Sequence, residues 1–279
     1  MELQGLWNQI ADRAKAANPP KDGDYYEGDV LYCGRCRTPK TSVVDLMGRP
    51  TRVFCLCRCA REARDRAEAE RRERERLDRI DRLRSAAFPD RELMSCGFDR
   101  DDGANPRLSR LCRRYVEQFD AMKAQGKGLL LYGPVGTGKT FLAACIVNAL
   151  TDRGVPCLMT SFARLGNLLS GPGPDRQARI DELARFALLV VDDLAAERDT
   201  EFMNELVYTV IDARYRQGLP IIVTTNLTGE ELKNPAQVKR QRTYSRLLEM
   251  CYPAEVAGKD RRKARLQADY LGLKARLET

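Results

Sequence analysis

The chain has 279 residues, of which 32% are charged, with 48 Lys and Arg against 40 Asp and Glu for a formal charge of +8. That length allows one sizeable core and a smaller attachment, and no apolar run reaches the roughly 18 residues of a membrane-spanning helix, so no membrane partner is expected. Histidine is absent, which excludes histidine bases and histidine metal ligands, and the start MELQGLWNQI lacks the basic segment and apolar stretch of a secretory signal, so the cytoplasm is the expected compartment.

Residues 1–30 carry a weak helical start followed by the polar, turn-rich KDGDYYEG. Ten cysteines follow, five of them between positions 33 and 59. Cys33-Gly34-Arg35-Cys36 has the spacing of a metal-binding knuckle, and Cys55, Cys57 and Cys59 return after enough chain for a small hairpin. Four thiolates would complete a closed, structural zinc site. Spacing alone leaves open which of the last three is spare; an iron–sulfur cluster and metal-free thiols are the alternatives to zinc. A piece of this size has too little core to fold by burial, so metal would supply the folding energy. Arg35, Arg37, Lys40, Arg49, Arg52 and Arg58 surround it, a decoration compatible with docking to protein or DNA. Cys145 and Cys157, in apolar company, read as small core residues.

From Arg61 to Arg84 there are ten Arg and eight acidic residues. Glu62 and Arg66, Glu68 and Arg72, Glu70 and Arg74, and Glu75 and Arg79 stand four apart with the acid first, which supports a solvent-exposed helix used as a connector. The expected division is a module over 1–60, a charged helical linker over 61–85, and an α/β core with a basic tail over 86–279.

Within that core, 108–125 reads as one helix, then GLLLY at 128–132 as a buried strand. Further strands are expected at 155–160, 187–191 and 220–225, with a short one near 252–256; helices are expected at 141–150, 162–169, 180–185 and 200–217, and GPGPD at 171–175 as a surface turn. Apolar strands alternating with helices predict a mostly parallel sheet covered on both faces.

Directly after the first core strand stands GPVGTGKT, Gly133 to Thr140, a P-loop in the strand-to-helix context that makes the pattern specific. Its backbone N–H groups and the helix N-terminus suit the phosphates of ATP. The expected nucleotide-binding residues are Gly133, Pro134, Val135, Gly136, Thr137, Gly138, Lys139, Thr140 and Phe141, with Lys139 on the terminal phosphates. Thr140 and Asp192, which ends the ALLVV strand, are expected to hold Mg²⁺. Asp193 is placed to orient or deprotonate the attacking water, with Glu197 as the alternative, and Asn226 after IIVTT should emerge beside the P-loop. Aspartate in place of the commoner glutamate shortens the reach and fits slow hydrolysis. Arg242 and Arg246 share a helix face and would welcome an anion.

These segments together, GKGLLLYGPVGTGKT, LLVVDDLAAERDTEF, Asp212-Ala-Arg-Tyr215, LPIIVTTNLTGEEL and RTYSRLLEMC followed by GKDRR, resemble the bacterial and phage helicase-loader ATPases and their transposase-helper relatives within the AAA+ class. The resemblance covers about residues 86–265. It implies an AAA+ P-loop core, with Asn226 as sensor 1, Arg246 as an arginine finger reaching a neighbouring subunit, and Arg262 as sensor 2, where adjacent Arg261 leaves the register uncertain by one. It also favours Cys57 and Cys59, with Cys33 and Cys36, as the zinc ligands, Cys55 being the substitute. This chain departs from the pattern at Ala195, where loaders commonly have Gly, a change expected to weaken nothing essential.

The resemblance implies an ATP-dependent loader of the replicative DNA helicase onto single-stranded DNA, self-associating into a ring or spiral in a bacterial or phage-infected cell. A transposition helper and a nucleotide-dependent adaptor are the alternatives. The cysteine module favours loading, because the helpers usually carry a different, helical extension. The segment from Lys233 to Thr279, with twelve basic against five acidic residues, suits contact with nucleic acid.

Overall fold

The computed structural model describes residues 20–46, 48–170, 176–197 and 199–263, with Leu266, Tyr270, Lys274, Arg276 and Leu277 beyond. The 171–175 turn, most of the basic tail and most of the expected helical start lie outside the described residues. The chain divides into two compact units, Met1–Leu77 and Asp78–Thr279.

In the first unit, β1 (Tyr25–Glu27) and β2 (Val30–Tyr32) form one antiparallel hairpin, and β3 (Thr41–Leu46) and β4 (Arg49–Phe54) a second. Among the described residues of this unit, only Leu31, Cys33 and Cys57 are buried apolar side chains. Apolar burial on that scale cannot offset the entropy of ordering the chain. Local polar contacts help: Lys40 pairs with Asp24 at 2.5 Å, and the Tyr25 and Tyr32 rings stack at 5.7 Å. The lysine's hydrogen bond holds the Asp24 carboxyl below its usual range.

Helix α1 (Arg58–Ala87) runs unbroken for 30 residues, and its buried residues, Ile80 and Ala87, lie towards its C-terminal end. Glu68 and Arg72 form one of the expected acid-first pairs, while Arg58–Glu62 and Arg71–Glu75 run with the base first. Exposed pairs of this kind contribute little each, so the helix owes its form to the sum of many such contacts and good helix formers.

The second unit begins its core with two helices where one was expected: α2 (Pro106–Glu117) and α3 (Phe119–Ala124). Gln118, at φ −97° and ψ 15°, breaks the run and turns Phe119 inward, where its ring meets Tyr115 edge-on at 6.1 Å. Asn105 caps α2 by accepting the Leu108 N–H, with Pro106 at the first turn.

Strand β5 (Gly128–Tyr132) leads into α4 (Lys139–Asp152); β6 (Cys157–Ser161), α5 (Phe162–Ser170) and α6 (Arg176–Glu182) follow. Then come β7 (Leu188–Leu194), α7 (Glu201–Arg216), β8 (Ile221–Thr225), α8 (Gly229–Lys233), α9 (Val238–Met250) and β9 (Cys251–Glu255). The sheet order is β6-β7-β8-β5-β9 and every pairing is parallel. Alternate strand residues serve opposite faces. Leu129, Leu131, Leu188 and Val190 pack with α2 and α4 residues such as Cys112 and Ile146, while Leu130, Leu189 and Val191 pack with Leu206, Val210 and Leu247. Both faces are therefore apolar, as a parallel sheet between helical layers requires.

Arg214 on α7 is almost fully buried and donates to the carbonyls of Leu183, Phe186, Ala187 and Pro220. Burial lowers its pKa to about 10. These bonds tie the chain entering β7 to the chain entering β8. The C-terminal ends of β5, β7 and β8 consequently open on one edge of the sheet, the usual place for a ligand in open α/β folds.

Candidate nucleotide site and metal centre

The sulfurs of Cys33, Cys36, Cys57 and Cys59 all lie within 4.8 Å of one another. Tetrahedral zinc at its usual bond length needs sulfurs about 3.8 Å apart; Cys33 and Cys59 stand at 3.6 Å and Cys57 and Cys59 at 3.4 Å. The knuckle can close this tightly because position 34 is glycine: a Cβ there would stand 1.9 Å from the Gly23 carbonyl oxygen. Cys55 points elsewhere, its thiol against the Pro39 carbonyl at 3.6 Å, and is not part of this cluster.

Backbone N–H groups of Cys36 and Arg35 lower the Cys33 thiol, and the Thr38 hydroxyl, 3.0 Å away, is the first cause lowering Cys36 to about 5. The neighbouring sulfurs, Cys57 first, push Cys59 up to about 12. Four thiolates this close repel one another unless a cation sits among them, so the donor set fits a metal ion. Thr38 also accepts the Arg58 N–H at 2.9 Å, tying the knuckle to the start of α1. Neither role is marked by spacing.

In the core, the P-loop wraps the N-terminus of α4, with Gly138 as its left-handed cap at φ 97°. A side chain at 138 would also meet the Arg261 guanidinium at 2.9 Å. Lys139 is buried and donates to the carbonyls of Gly133 and Pro134 at 2.8 and 2.7 Å, and burial lowers its pKa. Thr140 donates to both carboxylate oxygens of Asp192 at 3.0 and 3.1 Å. Burial raises the Asp192 carboxyl above its usual range.

A cavity of about 510 Å³ opens above this loop, lined by Lys139, Thr140, Asp193, Asn226, Arg261 and Arg262 among others. Val135, Gly136, Thr137, Gly138 and Phe141 also face it. Its far wall, with Leu93, Cys96, Arg100 and Asp102, comes from the segment before α2, whose sequence carries no motif that marks it for the site. A concave site with a left-handed glycine loop, an ammonium and a helix N-terminus at its floor fits a nucleoside triphosphate.

A family model described as IstB-like ATP binding protein matches residues 63–268, well over half of the chain. The chain belongs to this family. The replicative helicase loader DnaI of Bacillus subtilis is 27% identical over 197 residues, covering 64% of this chain and 62% of that protein. An insertion-sequence protein of Mycobacterium tuberculosis, assigned as ATP-binding, is 34% identical over 147 residues, covering 52% of this chain and 57% of its own. The crystal structure of DnaI superposes with a TM-score of 0.53 at 26% identity, over 64% of this chain and 99% of that one. The chain thus spans less than two thirds of the length of these curated relatives.

In this IstB-like core the two arginines after β9 have different surroundings. Arg261 pairs with Asp102 at 3.1 Å, and its backbone N–H donates to the Gly136 carbonyl at 2.9 Å. Arg262 is exposed at the cavity wall, and its charge adds to burial in lowering the Lys139 pKa. Arg246 does not line this cavity. It is ion-paired with Asp212 of α7, and its guanidinium lies over the rings of Tyr208 and Tyr215 at 4.8 and 5.6 Å. Arg242, one turn earlier on α9, is exposed.

The acidic loop holds two further features. Ala195 stands at φ 71°, a left-handed conformation that costs a residue with a Cβ roughly 1–2 kcal/mol. Alanine at this position is therefore strained. Glu197 spends its carboxylate on the Ala195 N–H at 2.9 Å and does not line the cavity, which leaves Asp193 as the acid of this loop that faces it.

Among the described residues no helix is long and apolar enough to cross a membrane.

Proposed function

We propose that this IstB-like protein is an ATP-hydrolysing loader of a ring-shaped replicative helicase, delivering it to single-stranded DNA. The observation that carries this reading is the four-cysteine cluster ahead of an AAA+ core whose relatives include a named helicase loader. Residues 1–60 would form a zinc-bound docking module, connected by the charged helix of 61–85 to the ATPase core of 86–279.

In that core, Lys139 and the P-loop N–H groups bind the phosphates. Thr140 and Asp192, already side by side, fit Mg²⁺, which takes one or two protein oxygens and completes its shell with phosphates and water. Such an ion neutralises phosphate charge when bound. Asp193 orients the attacking water, Asn226 senses the γ-phosphate, and Arg262 contacts the nucleotide of its own subunit. Arg246 serves the neighbouring subunit's site, so activity depends on assembly into a ring or open spiral. The cytoplasm of a bacterial or phage-infected cell is where these partners meet.

A second reading, a transposition helper, is favoured by the 34% identity to an insertion-sequence protein. Pull-down with ATP or ADP separates the two. Nucleotide-sensitive capture of a replicative helicase supports loading; capture of a transposase instead, with no helicase, moves the protein to the second class.

A further inference from the structure

Strand β8 lies between β5, which carries the P-loop, and β7, which carries the two acids. Its Thr224 is fully buried at the point where both meet. The pairing of β7 with β8 slips here: Val191 faces Val223 but Leu194 faces Thr225, so β7 carries one residue too many for its partner. Such a bulge leaves backbone groups without a ladder partner and re-aims side chains. Asp193 takes the left-handed conformation, at φ 57°, that the bulge requires.

The Thr224 hydroxyl resolves both consequences. Its oxygen accepts the Asp193 N–H at 2.9 Å, and its proton is donated to Oδ1 of Asp192 at 2.6 Å. One hydroxyl therefore uses its acceptor on one acid's backbone and its donor on the preceding acid's carboxylate. Thr140 meets that same carboxylate from the P-loop side. Asp192 is thus clamped between a residue expected to hold magnesium and one that faces away from the cavity.

We propose that Thr224 is a positioning residue for the hydrolytic site, setting the rotation of the Asp192 carboxylate and holding Asp193 in the bulge with its side chain towards the phosphates. Thr224 itself does not line the cavity and touches no substrate. Neighbouring Thr225 acts differently, donating to the Leu194 carbonyl at 2.7 Å, which closes the bulge from its far side. The inference rests on the reading of Asp192 and Asp193 as the magnesium-holding and water-orienting acids. Groups that orient metal-binding carboxylates typically matter about 10–100-fold in metal affinity or activity.

The test compares Thr224→Val, which keeps the shape and loses the hydroxyl, with Thr224→Ser, which keeps the hydroxyl. Two quantities are read in full-length protein: the Mg²⁺ concentration that half-saturates binding of a fluorescent ATP analogue, and the hydrolysis rate with its KM for ATP. Thr224→Val should raise the Mg²⁺ midpoint and lower kcat, each by about tenfold or more, with KM little changed. Thr224→Ser should restore both to within about threefold. A folded Thr224→Val protein with the wild-type Mg²⁺ midpoint overturns the proposal, even if its melting temperature has fallen. Should valine prevent folding, serine decides: a shifted Mg²⁺ midpoint in folded Thr224→Ser overturns it equally. Absence of hydrolysis by the wild type would reject the ATPase reading instead, and the binding midpoint would still test Thr224.

Discussion

Arg246 is ion-paired with Asp212 of its own chain, and its guanidinium also lies over the rings of Tyr208 and Tyr215. Service to a neighbouring subunit's site would require the guanidinium to leave these contacts. Arg216 pairs with the other oxygen of Asp212 at 2.9 Å, which keeps that carboxylate compensated if Arg246 moves. The place of Arg246 outside its own nucleotide cavity is compatible with the proposed role at a neighbour's γ-phosphate.

Arg246→Ala should therefore bind ATP within about threefold of wild type while losing at least about tenfold in hydrolysis, since such fingers contribute strongly to rate. Mixing it with Lys139→Ala chains should recover some activity, because one protein supplies an intact site and the other an intact finger. Turnover measured over a range of mixing ratios checks this. Full activity in Arg246→Ala alone would reject a shared site.

At Ala195 the family's common glycine should be better than the residue present. Ala195→Gly relieves the left-handed strain at φ 71° and gives back part of it as unfolded-chain entropy, for a net gain of about 1 kcal/mol. Chemical denaturation of the two proteins measures the difference; equal or lower stability in the glycine variant would contradict the strain.

One zinc per chain is expected, held by thiolates alone. Cys57→Ser should lose the metal and the ordered structure of the first unit, because burial there is confined to so few side chains. Cys55→Ser should keep both. Elemental analysis of the two variants decides which cysteine is spare, and zinc loss in the Cys55 variant would contradict the geometry.

Arg214 fixes the entrances of two adjacent strands through four carbonyls. Arg214→Met fills similar volume but leaves those acceptors buried and unpaired, at a cost of about 3 kcal/mol or more. Equilibrium unfolding in urea should show it as a lower midpoint with an unchanged slope.

The strands that build the site were legible because each is an apolar run that stops where the chemistry begins. Tyr132 precedes the P-loop, Val191 precedes the two acids, and Thr225 precedes Asn226. The break at Gln118 was not legible, since the apolar spacing of 108–125 suits one helix and only the packing of Phe119 against Tyr115 demands two. Thr224 and Thr225 are indistinguishable as adjacent letters; a one-residue slip between β7 and β8 assigns them opposite duties. The partner of Arg246 lies 34 residues upstream on another helix and is set by how α7 and α9 pack. The expectation of Cys57 over Cys55 as a ligand rests on family resemblance, and the clustering of Cys57 with Cys33, Cys36 and Cys59 is consistent with it.

The most direct test is loading itself: transfer of a replicative hexameric helicase onto closed circular single-stranded DNA, which has no end to thread, measured with ATP, with ADP and with Lys139→Ala protein. A loader of this kind should give transfer with wild-type protein and ATP, and little with ADP or with the Lys139 variant, whose phosphate-facing charge is gone. Equal transfer in all three conditions, or no nucleotide-sensitive association with any helicase, would contradict the proposed function.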